Sequence, residues 1–568
     1  MTRRLSPFSL AMFTAAHLIL PSPGAAQDTA ACTHGRVGSI EVVRHSIFEA
    51  SEVSTRRFSW AYGLVNRLHI ATHPNLIRSE IVVQEGDCFD SRSMMESVRI
   101  LRDFPFLARV EGESIEDADG NQTVRFTTWD EWTTAVGLNV SIEDEIRFEG
   151  AFLTESNLLG RGLTFRLVSE RRRELRNLGV SIGAPRLLGS RLDGSIGAGT
   201  TRDGTFVSPR IAWPFVGESG RTAVEVQGDR RDHDRVFATG GMENSTHVLI
   251  PVTDYEVDLS WDRRWGSPGR IRSLGLEARV RHARVTGSPT VAIRNDFGAL
   301  PPAPVSLTER LGAFADPPSE IRLGVSGGLR RVDFVTRRGL DLVTGEQDVA
   351  IGLDASVTMG RAIGGWNGSV SDSYLRADGF LGAASDRVTG QVRVSLEGRR
   401  PDARDPGGPG TEDLLARIEG IGFGRTGAHT LYAQLQYEGV WRETGRRMDG
   451  VRQRTLGGAG GVRSFVDYEV PVARFLMLRV EERWNPDWFG PALDLGFTLF
   501  GDLGRGWSGA TPYTQTTEWQ SAAGVGLRIG FPAGSGSVLR AEWAAAAGGD
   551  LTEGGVFRAY WVSATTRR

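Results

Sequence analysis

Tyr255-Glu-Val-Asp-Leu-Ser-Trp-Asp262 decides the fold, because every odd position is apolar and every even position is polar. A β-strand sends successive side chains to opposite faces, so this octet has one apolar face and one that carries full charges. The same period sets Ile146 and Phe148 against Arg147 and Glu149, and Leu163, Phe165 and Leu167 against Thr164 and Arg166. It sets Val392, Val394 and Leu396 against Arg393, Ser395 and Glu397, and Leu431, Ala433, Leu435 and Tyr437 against Tyr432, Gln434, Gln436 and Glu438. A soluble sandwich alternates too. Here the pattern persists across residues 133–568, 436 in all, with scarcely any helical period. A transmembrane barrel requires this pattern, with lipid outside and water inside. Sixteen strands would leave about 27 residues for each strand and its loop, and twelve or eighteen also fit. The expected fold is therefore mainly β: a transmembrane antiparallel β-barrel of sixteen strands over 133–568, with long loops at 289–318 and 401–410.

Composition narrows the function. Of 568 residues 72 are glycine, yet 40% are apolar, which argues against a disordered chain. With 66 basic against 69 acidic residues the net charge is −3, so nucleic acid is not an expected partner. Every basic residue is arginine, which excludes lysine Schiff bases and the lysine of a phosphate-binding loop. Two cysteines make no cysteine cluster, and nine histidines include no His-Glu-x-x-His, so neither metal nor cofactor is expected. Gly179-Val-Ser-Ile-Gly183 matches a nucleophile elbow, but Pro185 and an alternating segment follow it where a helix is needed. No catalytic residue is assigned and no enzyme is expected.

The N-terminus reads as a secretory signal over residues 1–26: Arg3 and Arg4, an apolar stretch over 10–20, then Gly24-Ala25-Ala26. No other run approaches 18 apolar residues, so residence in a membrane must be through strands. Residues 27–37 form an N-terminal segment. Residues 38–132 mix strand and helix signals: a β-rich 39–43, then Asp90 or Ser91 capping a helix with Met95, Val98 and Leu101 on one face. Pro105 ends that helix, and the runs 108–115 and 122–128 flank the hairpin signal Asp119-Gly120. In an oxidising compartment Cys32 and Cys88, the only cysteines, are expected to form one disulfide that ties the mature N-terminus to this unit.

Three stretches resemble the BamA/TamA-type outer-membrane assembly factors, the bacterial surface antigen superfamily. Asn66-Arg-Leu-His69, Ile77-Arg-Ser-Glu80, Glu85-Gly-Asp87, Phe89-Asp90, Arg99-Ile-Leu-Arg102 with Phe106-Leu107, and Trp129-Asp-Glu-Trp-Thr133 resemble a single polypeptide-transport-associated (POTRA) module. Glu155-Ser-Asn-Leu-Leu-Gly-Arg-Gly162 resembles the turn between early barrel strands. Gly457-Gly-Ala-Gly-Gly-Val-Arg-Ser-Phe465 is similar to the family's inward-folded loop, whose tip reads Val-Arg-Gly-Phe/Tyr; Val462, Arg463 and Phe465 match and Ser464 replaces the glycine. Arg479-Val-Glu-Glu-Arg483 and Phe500-Gly-Asp-Leu-Gly504 resemble the strands that receive the tip.

Parity agrees independently. Leu476, Leu478, Val480 and Trp484 share one face, so Arg479, Glu481 and Arg483 face the lumen; Leu495, Phe497 and Leu499 face lipid while Phe500 and Asp502 face inward. Arg463 is thus expected on Glu481 and Asp502, the carboxylates suiting a guanidinium fork. The chain departs from the family's aromatic ending, since its last aromatic is Trp561, which places the closing strand at 556–562. The resemblance implies an outer-membrane protein with its module in the periplasm, assisting insertion or transport of proteins. Its implied partners are outer-membrane lipid, unfolded or β-rich clients captured at the module's sheet edge, and accessory assembly subunits. A passive porin or a surface antigen without transport is the alternative.

Overall fold

The computed structural model describes residues 32–48, 63, 65–67, 69–142, 146–170, 177–293, 297–298, 300–315, 319–363, 371–402, 410–444, 453–458, 460–465, 470–549, 551 and 555–563. The signal-like 1–26 and the final 564–568 lie outside them.

The first unit is a three-stranded sheet with two helices. Strand β1 (Val37–His45) runs parallel to β3 (Gln122–Asp130), and β2 (Leu107–Glu116) pairs antiparallel on the other side of β3. Helix α1 (Pro74–Glu80) starts on a proline, whose missing N–H costs nothing at that position. Helix α2 (Ser91–Arg102) is capped by Asp90, whose carboxylate accepts from the Arg92 and Ser93 amides. Met94, Val98 and Leu101 face the sheet, while Met95 is exposed. The helix face is therefore turned by one residue from the sequence expectation, because 94, 98 and 101 keep the spacing of four then three that one helical stripe demands. Val110, Val124, Phe126 and Ile77 complete the core. Cys32 and Cys88 are disulfide-bonded with Cα atoms 5.3 Å apart. Closing a loop of this length stabilises by about 4 kcal/mol in the chain-entropy model. Reduction is therefore expected to lower the unit's unfolding midpoint without disturbing the barrel, measured by thermal melts with and without reductant.

After Trp132 the chain forms a barrel of twenty consecutive antiparallel strands, from Thr134–Ile142 to Val556–Ser563, each paired to the next. The short strand Thr290–Ile293 adds to the flank of Ser245–Ser267 beyond the barrel wall. Twenty strands replace the expected sixteen because many turns at the module end are only a few residues long, such as those after Ser267, Ala384 and Thr426. The same 436 residues then divide at about 22 per strand, still ample for the roughly ten that cross a membrane. Tyr255, Val257 and Leu259 are exposed on the outer wall, while Glu256, Asp258 and the facing Arg279 line the lumen. Further lumenal charges pair across strands, as in Arg330–Asp354 and Arg417–Glu438. Ser181, in the elbow-like motif, sits mid-strand between Arg166 and Gly197.

The far end of the barrel is roofed. Strand Ser245–Ser267 has 23 residues, about twice what the membrane needs. Its distal part loses the alternation because Val248, Ile250 and Val252 pack against the helix Val305–Leu311, Phe314 and Tyr513. Tyr513 donates to the Leu307 carbonyl at 2.6 Å, and Gln453 bridges Ala238 to Pro512.

Candidate functional site

Two alternate positions of the strand Asp494–Trp507 are glycines, and both face the lumen. A Cβ at Gly504 would stand 2.7 Å from Val462, and one at Gly506 2.2 Å from Val472. The missing side chains are the seat on which the loop between Trp441 and Arg474 rests. Leu456, Val462, Phe465, Val470 and Val472 then bury themselves against Phe475 and Met477 of the wall. Ser464, which stands where the resemblance has glycine, is also buried, and its backbone does not enter the left-handed region. A serine therefore fits there without backbone strain, its hydroxyl buried with no hydrogen-bond partner among the described residues.

This seating drops Arg463 among three carboxylates. Its Nε and Nη2 donate to Asp502 at 2.8 Å each, and its backbone amide donates to the same carboxylate at 3.0 Å. Nη1 donates to Glu481 at 2.9 Å and to Glu542 at 3.3 Å. The guanidinium plane lies over Phe500, 3.4 Å from the ring centroid. Arg479 adds a bond to Asp502 at 3.2 Å; Arg483 and Arg540 hold Glu481 at 2.7 and 3.0 Å. The structure thus brings together Val462, Arg463, Phe465, Glu481, Phe500 and Asp502. Glu542, Arg540, Arg558 and Tyr560 were missed from sequence. Their signal is parity: Trp543 points outward, which turns Arg540 and Glu542 inward.

The last strand is tied to the loop tip from inside. Arg558 donates to the carbonyls of Arg463 and Phe465 at 2.6 and 2.7 Å, and the Tyr560 hydroxyl donates to Glu542 at 3.0 Å. Along its outer edge, the last and first strands share, among the described residues, one registered pair, Phe557 with Ile142. By contrast the penultimate and last strands share eight registered pairs.

The module end of the lumen is covered. Arg102 of α2 reaches Glu346 and Asp348 at 2.9 and 3.3 Å, Glu80 holds Arg186 at 2.6 Å, and Asn157 donates to Thr72 at 2.8 Å. Glu96 accepts from the backbone amides of Glu218 and Ser219. The turn between Arg338 and Glu346 folds inward as well, where Arg528 donates to the carbonyls of Asp341 and Leu342 at 2.6 and 3.2 Å.

One of these module contacts titrates near neutrality. Glu131, in the linker to the first barrel strand, accepts from the Ser535 hydroxyl at 2.6 Å and the Gly536 amide at 2.8 Å. Burial pushes its carboxyl up to about 7, against the pull of those two donors. A carboxyl raised in the folded state binds its proton more tightly there than in the unfolded chain. Its contribution is thus fully present below about 4.5 and is lost as pH rises through about 7. Glu131→Gln is expected to flatten the fall in unfolding midpoint across that window, measured by melts at several pH values.

No family model and no curated protein matches the chain. Among solved structures it is similar to CdiB from Escherichia coli at 13% identity, over 94% of this chain and 77% of that one, with a TM-score of 0.42. CdiB from Acinetobacter baumannii matches at 10% identity over 93% and 74%, TM-score 0.41. BamA from Haemophilus ducreyi lacking POTRA domains 1–3 matches at 12% over 93% and 85%, TM-score 0.37. The copper transporter OprC matches at 10% over 92% and 90%, TM-score 0.37.

Proposed function

We propose that this chain is an outer-membrane barrel of the BamA/TamA type that assists insertion or transport of other proteins, with residues 38–132 a POTRA module in the periplasm. The single observation that carries the reading is the seam. A barrel that must only be closed gains by pairing every edge, since unpaired backbone in lipid is costly. Here one edge shows a single registered pair among the described residues, while its inner face is bolted to the loop tip through Arg558. That arrangement suits a wall that parts at one place and stays anchored while it does. Clients are captured at the module's free sheet edge: beyond the Val110 carbonyl, which Arg102 occupies, Glu111, Glu113, Ser114 and Ile115 of β2 are exposed. The energy comes from client folding, so no hydrolysable cofactor is invoked. A passive porin would keep a clear lumen, whereas the loop tip and the inward turn occupy this one and the module covers its mouth. The test is a disulfide across the seam, with Ile142 and Phe557 both replaced by cysteine. The oxidised variant should assemble clients at least tenfold more slowly in proteoliposomes, with reductant restoring the rate. Full activity with the seam locked would refute the reading.

A further inference from the structure

Ten consecutive strands, from Thr205–Trp213 to His429–Trp441, contribute to the wall of one groove of about 2160 Å³. The wall side chains that belong to the apolar outer face include Trp213, Trp261, Leu323, Met359, Leu396 and Trp441. Leu323, Met359 and Leu396 are 51%, 63% and 50% exposed. The groove is about twice the largest usual small-molecule pocket and runs the height of the wall, with Trp213 and Arg263 toward the module end and Arg400 and Trp441 toward the far end.

Charge fixes what fits there. Arg399 points inward, held by Asp372 at 2.6 Å and Asp413 at 2.7 Å, so its neighbour Arg400 stands on the lipid side. Arg400 is exposed, and no carboxylate among the described residues pairs with it. Beside it Arg361 donates to Asp402 at 2.8 Å and to Ser373 at 3.0 Å. A cation facing hydrocarbon is costly unless it meets water or an anion, and Trp441 at the same end suits the headgroup level.

We propose that this groove is a binding site for a glycerophospholipid, its acyl chains along Leu323, Met359 and Leu396 and its phosphate on Arg400. The site depends only on the barrel lying in a bilayer and not on any transport activity. The test uses the full-length protein in detergent, titrated with phosphatidylglycerol and read by native mass spectrometry, with folding checked by heat-dependent gel migration. The unaltered protein should retain the lipid through detergent exchange. Arg400→Glu should lower the bound fraction roughly tenfold, as loss of one charge-assisted contact implies, while Arg400→Lys should keep most of it. Met359→Trp, which fills the groove and leaves Arg400 in place, should also displace the lipid. Equal retention in all four proteins, equal binding of phosphate-free diacylglycerol, or uptake of lipopolysaccharide alone would overturn the proposal. Seam-dependent client assembly is measured separately, so failure of one leaves the other standing.

Discussion

Arg463→Ala should release the lumenal loop and cost about 3–5 kcal/mol, the usual penalty for leaving a buried charge without its partner. The guanidinium is 2% exposed and is the group through which Asp502, Glu481 and Glu542 meet. Once it is gone, Glu481 still has Arg483 and Arg540, but among the described residues Asp502 keeps only Arg479, at 3.2 Å, as a charged partner. The damage should therefore centre on the strand Asp494–Trp507 and on the tip it seats. Arg558 would then grip the carbonyls of a loop that no longer has a fixed place, and the last strand would lose its inner anchor. Three readings follow together: faster proteolysis within 453–473, larger and noisier single-channel conductance, and client assembly reduced at least tenfold. Arg463→Lys should fall between, since an ammonium carries the charge but neither the fork nor the flat face that lies on Phe500. Unchanged proteolysis and conductance in the alanine variant would show that the tip is held by Val462 and Phe465 alone.

Much of this centre was legible because strands obey a strict period of two. Once Leu478 and Val480 are placed on lipid, Glu481 and Arg483 have nowhere to go but inward, and the structure buries both. The same reasoning reaches Arg540 and Glu542 only through Trp543, because the alanines around them carry almost no parity signal. Strand number was not legible: alternation marks where strands exist but not how short the turns between them are. The distal part of Ser245–Ser267 hides for a different reason, since a segment buried on both faces by a roof has no polar side to reveal it. Hidden most completely was the covering of the module end. Arg102, Glu80 and Glu131 read in sequence as ordinary charged positions, and their partners lie 246, 106 and 404 residues away, a separation that leaves no periodic trace.

Deleting residues 38–132 should leave a barrel that still inserts, conducts more and assembles clients poorly. Insertion should survive because the outer wall is complete without the module: Tyr255, Val257 and Leu259 present an apolar band that belongs to the barrel strands alone. Conductance should rise because the bonds to Arg186, Glu346, Asp348 and Ser535 that hold the module over the mouth are removed. The inward turn and the loop tip stay, so the gain should be partial, and combining the deletion with Arg463→Ala should open the lumen further. Client assembly should fall at least tenfold, because the exposed edge of β2 from Glu111 onward goes with the module. The unit produced separately as residues 32–132, which keeps Cys32 with Cys88, should fold by itself around Val110, Val124 and Phe126, its disulfide intact, and should compete for clients when added back in solution. Planar-bilayer recordings and reconstituted assembly, run on the same preparations, separate the two effects. Client assembly unchanged by the deletion would remove the module from the mechanism and favour a channel. A 133–568 fragment that stayed monomeric in plain buffer would overturn the membrane assignment itself, since water does not tolerate an exposed apolar band of that extent.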